Sequence, residues 1–297
     1  MSSSVHRFHQ LDVFSDEHFL GNPLAVVHDA DTLSTEQMAA FARWTNLSET
    51  TFLMKPTRPD ADYRLRIFTP GGELPFAGHP TLGSACAWVA AGGASKRGDE
   101  IIQECGVGLV RVRRRGTQFA FAAPPLRRSG LLDERTLMII AAGLRIPRAD
   151  IVLHQWVDNG PGWCAVMLGS AAQVLQLQPD FAVLRELKLG VIGPQTSGSA
   201  TQFAVRAFVP GLGVPEDPVT GSLNAGLGAW LINAGLAPEK FVVSQGAALQ
   251  RRGRVHLERI DDVLWVGGDV AIRIDGNVNF SPSVEARVTQ NCERQND

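Results

Sequence analysis

The sequence of 297 residues carries little net charge, and this absence restricts its partners. The formal net charge is −2, so no overall positive field attracts nucleic acid or an anionic membrane surface. Two short basic runs occur, at residues 111–115 and 251–254, but in the first Val110 and Val112 alternate with arginines as in a half-exposed strand. A solvated hairpin explains this pattern better than a polyanion site. We therefore expect neither a nucleic-acid partner nor a membrane partner.

Closely spaced cysteines and long apolar runs are also missing. The cysteines have no metal-binding or redox spacing, so we expect free thiols and no metal site. They stand at Cys86, Cys105, Cys164 and Cys292. The longest apolar run, from Leu82 to Ala91, is too short to span a bilayer, and Met1 to His9 lacks the apolar core of an export signal. These features predict a cytoplasmic protein.

What the sequence does contain is an internal repeat. Adding 142 to Ala87-Trp88 gives Ala229-Trp230, and adding 142 to Gly93 gives Gly235. Adding 140 reproduces the same residue at five further positions, pairing Arg66 with Arg206, Phe68 with Phe208, Pro70 with Pro210, Gly71 with Gly211 and Pro75 with Pro215. Each copy has the pattern of a strand, a Pro/Gly turn, a short polar segment and an apolar helix. Two related halves are therefore predicted.

The repeat favours an α+β protein of two pseudo-symmetric domains. The helix after Pro80 is apolar nearly all round, which is typical of a helix wrapped by other elements, and strands precede and follow it. We therefore expect a curved sheet around a central helix in each half. The break at Ala123-Pro124-Pro125 suggests a linker. The predicted division is an N-terminal domain of residues 1–124 and a C-terminal domain of residues 125–282, with residues 283–297 able to return to the first.

Local signals place the helices along the chain. Residues Ser34–Gln37 have the form of a capping box, which predicts a helix ending near Asn46. A short helix is expected from Phe181 to Leu187. The apolar helix of the first copy is expected to begin at Pro80, because the missing N–H of proline is spared at the first helical position. Its counterpart is expected from about Leu223 to Asn233.

The starts of the two apolar helices are the strongest physical indication of function. A helix N-terminus has unpaired backbone N–H groups and a partial positive charge, so it binds carboxylate or phosphate. Gly78 precedes one start, and Thr220-Gly221-Ser222 precedes the other, so a ligand can approach the backbone closely at both. If the halves face one another, both starts meet at one cleft and hold a small anionic ligand. The alternative is that Thr220 or Ser222 is a simple N-cap.

Four titratable residues lie near these segments: His79, Glu216, Asp217 and Glu49. A single histidine is often only a structural hydrogen-bonding group, and an aspartate before proline often stabilises a turn. Glu49 lies among apolar neighbours, and burial of a carboxyl group raises its pKa toward the range of a working acid or base. A surface glutamate at the start of a strand fits the same spacing. The residues alone leave these alternatives open.

Three motifs then resemble one known family. They are Asn46-Leu47-Ser48-Glu49-Thr50-Thr51-Phe52, the segment from Phe68 to Gly83, and Glu216-Asp217-Pro218-Val219-Thr220-Gly221-Ser222. In this order they resemble the PhzF (phenazine biosynthesis) isomerase family over nearly the whole chain, from about Phe8 to Ile274. The resemblance implies a diaminopimelate-epimerase-like fold, in which each domain is a rolled β-sheet or barrel around a central helix. It also implies a homodimer and chemistry without a cofactor.

The resemblance assigns roles to residues. Glu49 stands at the position of the family's catalytic glutamate, which moves a proton between carbon atoms. His79, Asp217 and Ser222 stand at positions that hold the substrate and assist the transfer. Gly78, Thr220 and Gly221 lie beside the helix starts that meet the substrate. The function implied is an isomerase or epimerase that acts on a small carboxylate-bearing metabolite by general acid/base catalysis.

The chain departs from the related epimerases that use two thiols. Ala77 stands at about the first thiol position and the segment 220–222 covers the second, so a two-thiol racemisation is excluded. Two other functions remain to be compared with the structure. One is a non-catalytic small-molecule binding protein of the same fold. The other is a hydrolase with Ser222 as nucleophile and His79 as base, although the chain lacks a Gly-x-Ser-x-Gly motif. Substrate choice is expected to involve residues 155–163, and the Asn22-Pro23 turn is a further candidate for lining the cleft.

Overall fold

The computed structural model describes residues 5–212 and 214–280, and the repeat in the sequence is visible there as a repeat of elements. The N-terminal half contains β1 (Val5–Val13), β2 (Asn22–Val27), α1 (Thr35–Thr45), β3 (Thr50–Met54), β4 (Tyr63–Thr69), β5 (Gly72–Leu74), α2 (Gly78–Ala90), β6 (Glu100–Cys105), β7 (Gly108–Arg115) and β8 (Gln118–Ala122). The C-terminal half contains α3 (Glu134–Leu144), β9 (Ile151–Trp156), β10 (Trp163–Leu168), α4 (Ala171–Gln176), β11 (Lys188–Pro194), β12 (Phe203–Val209), β13 (Val214–Asp217), α5 (Gly221–Asn233), β14 (Lys240–Gln245), β15 (Gly253–Ile260) and β16 (Val263–Asn279).

The N-terminal half is a closed barrel around α2. Its strands follow the order β1, β2, β3, β4, β6, β7, β8 and β16, and pairing of β16 with β1 closes the ring. Helix α2 contacts all eight strands, including β4 through the rings of Tyr63 and Trp88, and Leu82, Ala85 and Ala87 are fully buried on it. A helix that is apolar on every side needs apolar partners on every side, and the barrel interior provides them. The expected rolled sheet around a central helix is confirmed.

The C-terminal half repeats the same connections. Strands β2 and β3 pair in parallel with α1 between them, and β10 and β11 pair in parallel with α4 between them. Helix α2 lies between β4 and β6 in chain order, and these two strands pair in parallel. Helix α5 lies in the same way between β12 and β14, which also pair in parallel. Leu223, Leu227 and Leu231 recur at helical spacing on α5 and are buried. The predicted fold of two pseudo-symmetric halves is thus confirmed.

One long strand belongs to both halves. The first part of β16 pairs with β15 and β8, and residues 270–279 pair with β1. The strand that closes the N-terminal barrel therefore comes from the far end of the described chain. Residues 283–297, which were predicted to be able to return to the N-terminal domain, lie outside the described residues. The division into 1–124 and 125–282 stays a prediction.

Two predictions about helices have different outcomes. Helix α1 begins after the Ser34–Gln37 capping box, with both of its hydrogen bonds present, and ends before Asn46 as predicted. The helix predicted from Phe181 to Leu187 is wrong, because these residues form turns and the helix of this stretch is α4. The Asp180 carboxylate accepts hydrogen bonds from the Ala182 and Val183 amides, as an N-cap does. The backbone bonds that follow, from Leu184 N–H to the Asp180 carbonyl and from Leu187 N–H to the Leu184 carbonyl, close separate turns and do not continue as a helix. No helix among residues 5–212 and 214–280 is long and apolar enough to cross a membrane.

Candidate active site

The N-termini of α2 and α5 touch each other where the two halves meet. A Cβ atom built on Gly78 would lie 2.9 Å from the Gly221 Cα, and one built on Gly221 would lie 3.0 Å from the Gly78 Cα. Only glycine at both positions allows the two backbones to come this close. The unpaired N–H groups and the partial positive charge of both helices therefore lie at one place.

Both helices begin two residues earlier than the sequence analysis predicted. Helix α2 starts at Gly78, so Pro80 is its third residue, and α5 starts at Gly221 and not at Leu223. The predicted starts are wrong because the first four helical N–H groups all lack intrahelical acceptors, so proline is tolerated beyond the first position. The shift places His79 and Ser222 at the second position of each helix, one on each side of the glycine contact.

Glu49 lies in the loop between α1 and β3 and reaches this contact. Its Oε2 atom is 3.6 Å from His79 Nε2, and within the described part of the chain neither atom has a hydrogen-bond partner. The side chain keeps 15% of its surface exposed, but Oε2 itself is inaccessible to solvent. Burial raises the pKa of Glu49 strongly, the negative charge of Asp217 raises it further, and a hydrogen bond from Ser48 opposes the rise.

Asp217, the last residue of β13, is the second buried carboxyl group. Its Oδ2 accepts a hydrogen bond of 2.5 Å from the Thr220 hydroxyl, and its Oδ1 accepts one of 3.2 Å from Asn22 Nδ2. Burial raises the pKa of Asp217, and these two hydrogen bonds oppose the rise. Because like charges repel in a buried site, Glu49 and Asp217 titrate together, and one proton shared by the pair is favoured at neutral pH.

His79 is neutral in this arrangement. Burial lowers the pKa of His79 to about 3, although a hydrogen bond to the Pro23 backbone raises it slightly. Proline has no N–H, so the imidazole donates this bond to the carbonyl oxygen. Since Nε2 has no partner among the described residues, the donor is Nδ1, and the lone pair of Nε2 faces Glu49. The 3.6 Å contact between Glu49 Oε2 and His79 Nε2 is therefore not an ion pair.

Ser222 and Thr220 do not cap α5 with their side chains. Thr220 occupies the N-cap position, but its hydroxyl bonds to Asp217 and not to a helical N–H. The Ser222 hydroxyl accepts a hydrogen bond of 3.0 Å from Trp163 Nε1. No hydrogen bond joins Ser222 to His79 in the part of the chain that the structure describes, so the hydrolase alternative lacks its contact between nucleophile and base.

Two residues with little or no role in the sequence-based predictions also support the site: Asn22 joins the two halves, and Gln245 holds the segment before α5 within the C-terminal half. Asn22 is fully buried, and its Nδ2 donates to Asp217 and to the Val219 carbonyl and lies 3.4 Å from His79 Nδ1. Gln245 bonds to the segment from Asp217 to Thr220. A signal for Gln245 was present, because the repeat offset of 142 pairs it with Gln103, which also bonds to the first turn of a central helix.

The inner atoms of the site, Glu49 Oε2 and His79 Nε2, are closed off from solvent. Two surface cavities, of about 350 Å³ and about 580 Å³, lie at the hairpins β12–β13 and β4–β5, and neither is lined by Glu49, His79 or Asp217. Glu216, named earlier as a candidate, faces the smaller cavity and forms a buried ion pair with Arg206. It therefore holds β13 in place behind Asp217. In the described part of the chain, no group of His, Cys, Asp and Glu is arranged to bind a metal ion.

Replacing Glu49 with Gln is expected to stabilise the protein at alkaline pH. In the unfolded chain Glu49 ionises near its ordinary pKa of about 4.3, whereas the folded protein retains the proton. The wild-type free energy of unfolding therefore falls as the pH rises toward the raised pKa, and Glu49→Gln removes this loss. Chemical denaturation should show a gain of about 1–3 kcal/mol near pH 9 and little change near pH 4. The exposed Glu186→Gln is the control, and a gain that grows toward acid pH would contradict the burial of Glu49.

Comparison with known proteins identifies the family of this chain. The family described as "Phenazine biosynthesis-like protein", PhzC-PhzF, matches residues 11–277. "Antisense-enhancing sequence 1" of Schizosaccharomyces pombe is 40% identical and aligns over 91% of this chain and 98% of its own length. The "Trans-2,3-dihydro-3-hydroxyanthranilate isomerase" of Pseudomonas aeruginosa is 34% identical over 85% of this chain and 90% of its own.

Solved structures show the same fold. A PhzF-family protein of Enterococcus faecalis superposes with a TM-score of 0.77 at 24% identity, covering 93% of this chain and all of that one (100%). A predicted epimerase of Pseudomonas aeruginosa gives 0.75 at 27% identity, covering 94% and 100%. A probable proline racemase of Agrobacterium radiobacter shares the fold alone, with a TM-score of 0.58 at 13% identity over 94% of each chain. This chain therefore belongs to the PhzC-PhzF family, and it is an isomerase with an epimerase-like fold.

Proposed function

We propose that the protein moves a proton between two carbon atoms of a small carboxylate-bearing metabolite by general acid/base catalysis, without a cofactor. The observation that carries this proposal is the Glu49 carboxyl group, which is buried beside the two helix N-termini and has an unpartnered oxygen 3.6 Å from His79 Nε2. A buried carboxyl group with a raised pKa can both hold and release a proton near neutral pH.

The proposed reaction assigns a task to each part of the site. Glu49 as carboxylate removes a proton from a carbon next to an unsaturated, carboxylate-bearing system, and the electron pair moves into that system. Glu49 then delivers a proton to a second carbon, and exchange of that proton with water between the two steps brings solvent hydrogen into the substrate. No other reactant is consumed. The charge that develops is stabilised by the N–H groups at Gly78, Gly221 and Ser222, with Thr220 and Asp217 positioned beside them. His79 assists the transfer from its position opposite Glu49.

The closed site requires the two halves to separate before a substrate can enter. Closure over the ligand then excludes water, which strengthens every electrostatic interaction with the substrate. A substrate of the kind named for the Pseudomonas aeruginosa relative, a hydroxylated ring carboxylate, is the first class to test. A small anionic metabolite as ligand, a homodimer and a cytoplasmic location stay predictions from the sequence.

The test is a screen of small carboxylates in heavy water with the purified protein. A substrate should acquire deuterium at carbon and yield an isomer that is absent when the protein is omitted. Mass spectrometry detects the label, and chromatography separates the isomer. A compound that binds tightly but yields neither an isomer nor label would favour the alternative, a small-molecule binding protein that retains the fold.

A further inference from the structure

The side-chain amide of Gln245, at the end of β14, makes hydrogen bonds through both its oxygen and its nitrogen beside the candidate site. It is 3% exposed and makes four hydrogen bonds. Its Oε1 accepts from the Thr220 backbone N–H and from Asn224 Nδ2, at 3.1 and 2.8 Å. Its Nε2 donates to the Asp217 carbonyl oxygen and to the Thr220 hydroxyl, at 3.1 and 3.0 Å. A backbone N–H can only donate, so these contacts determine which end of the amide is oxygen.

The orientation of the Gln245 amide determines the direction in which the Thr220 hydroxyl donates its hydrogen bond. The hydroxyl oxygen already accepts from Gln245 Nε2, and its own hydrogen goes to Asp217 Oδ2 at 2.5 Å. On the other side, Asn22 Nδ2 donates to Asp217 Oδ1. Both oxygens of Asp217 therefore meet donors. A carboxyl group that only accepts hydrogen bonds is favoured in its ionised form.

Glu49 has the opposite surroundings. Its Oε2 has no hydrogen-bond partner among the described residues, so nothing there stabilises a charge on that oxygen. The titratable groups around Asp217 are Glu49, the neutral His79 and Glu216, whose charge is balanced by Arg206. When two buried carboxyl groups share one proton, the proton stays on the group whose charge is less well solvated.

We propose that Gln245 is a positioning residue that directs the Thr220 hydroxyl toward Asp217 and thereby keeps the shared proton on Glu49. This inference rests on the proposed function for its catalytic meaning, because Glu49, the group whose protonation Gln245 controls, is the group proposed to exchange protons with substrate carbon. It assigns Asp217 the role of the resident charge. It also explains why Thr220 is turned away from capping its own helix.

The repeat supplies a matched control for this role. Gln103 occupies the equivalent place on β6 and is fully buried, and its Nε2 donates to the Thr81 hydroxyl of α2 at 3.0 Å. The Thr81 hydroxyl donates to the Ala77 carbonyl oxygen, and Gln103 Oε1 accepts from Tyr63. Gln103 therefore holds a central helix as Gln245 does, but its hydroxyl partner does not bond to a carboxylate.

The experiment titrates the carboxyl groups by carboxyl-carbon NMR, which needs no substrate. In wild type we expect one carboxyl group that titrates well above the ordinary glutamate range and is absent from Glu49→Gln. Gln245→Met removes the amide, so Asp217 retains less charge and repels a charge on Glu49 less. The midpoint of Glu49 should then fall by roughly half to one pH unit. Thr220→Val should lower it in the same direction, and Gln103→Met should leave it within about 0.2 pH units of wild type.

Two outcomes would overturn the inference. One is a high-pH titration that persists in Glu49→Gln and disappears in Asp217→Asn. The other is a Gln245→Met protein in which the Glu49 titration midpoint matches wild type while the melting temperature falls as in Gln103→Met. That result would show that Gln245 has a structural role alone. If Gln245→Met does not fold, Thr220→Val decides in the same way. The proposed function fails separately, if the expected titrations occur in a protein that isomerises no substrate in the heavy-water screen.

Discussion

Replacing Glu49 with Gln is expected to lower the rate of isomerisation and of proton exchange at substrate carbon about 100- to 10 000-fold. The Gln amide has nearly the shape of the protonated carboxyl group, but it cannot take up a proton from carbon. Oε2 of Glu49 has no hydrogen bond to lose among the described residues, so the fold and the helix N-termini should keep their positions. Ligand binding should therefore remain within about 3-fold of wild type, since the loss concerns the transition state alone.

The measurement compares deuterium uptake and product formation for wild type, Glu49→Gln and the exposed control Glu186→Gln. Binding is followed by calorimetry on the same three proteins. Exchange that continues at the wild-type rate in Glu49→Gln would refute the role of Glu49 as the proton carrier. The wild-type pH profile adds a second check: kcat/KM should rise with pH at a midpoint well above the ordinary glutamate pKa of about 4.3, because burial and Asp217 raise the pKa of Glu49.

The second large effect is expected from Gly221→Ala. The added methyl group would lie 3.0 Å from the Gly78 Cα and 3.3 Å from the His79 backbone nitrogen. Backbone atoms cannot move aside as the end of a flexible side chain can, so the two helix N-termini must separate. The backbones must move apart by a few tenths of an ångström. We expect kcat/KM to fall about 10-fold, less than the roughly 100-fold that a displacement of about 1 Å at a reacting centre can cause. The free energy of unfolding should fall by about 1–3 kcal/mol.

Gly276→Ala in β16 is the matched control, because no atom lies within 4 Å of the added Cβ. It should leave both kcat/KM and the thermal midpoint close to wild type. Wild-type kcat/KM in Gly221→Ala would show that the contact between the helix N-termini does not form the substrate site. A loss of stability with unchanged kcat/KM would lead to the same conclusion, so activity and unfolding are measured on the same preparations.

The two substitutions act on different properties of one site. Glu49→Gln removes a group that is costly to bury as a charge, so the same change that stops proton transfer is expected to stabilise the protein at high pH. This opposition is common where an active site keeps a titratable group away from water. Gly221→Ala lowers stability and activity together, because close packing of the two backbones supports both.

Much of the architecture was predictable because it is encoded locally and then repeated. The spacing of 140 to 142 residues indicated two related halves, and the all-round apolar character of the central helices indicated their enclosure. The capping box at Ser34–Gln37 placed α1 to the residue. The starts of α2 and α5 were missed by two residues, because the first turn of a helix has no intrahelical hydrogen bonds at its N–H groups and its sequence is weakly constrained.

The residues of the site also divide into those that the sequence indicated and those that only the structure revealed. Their positions in the sequence made Glu49, His79, Asp217 and Ser222 candidates, and the family motifs assigned their roles. The structure brings Glu49, His79 and Asp217 together near the helix contact. Asn22 had only a weak signal as part of a turn, and Gln245 had none apart from the repeat offset. Both act through side-chain hydrogen bonds to residues from distant parts of the chain, which no local pattern reveals. Trp163 lies in the segment 155–163 that was expected to take part in substrate choice, but its hydrogen bond to Ser222 was not predictable for the same reason.

By itself the sequence determined the duplication, the two enclosed helices and the residue types available for acid/base chemistry. Only the tertiary structure decided that Gly78 and Gly221 touch and that Glu49 Oε2 is inaccessible to solvent. It also decided that Asp217 meets donors on both oxygens while Glu49 Oε2 meets none in the described chain. The reason is physical: periodicity follows from neighbours along the chain, whereas the pKa of a carboxyl group depends on burial and on charges that folding brings from far away.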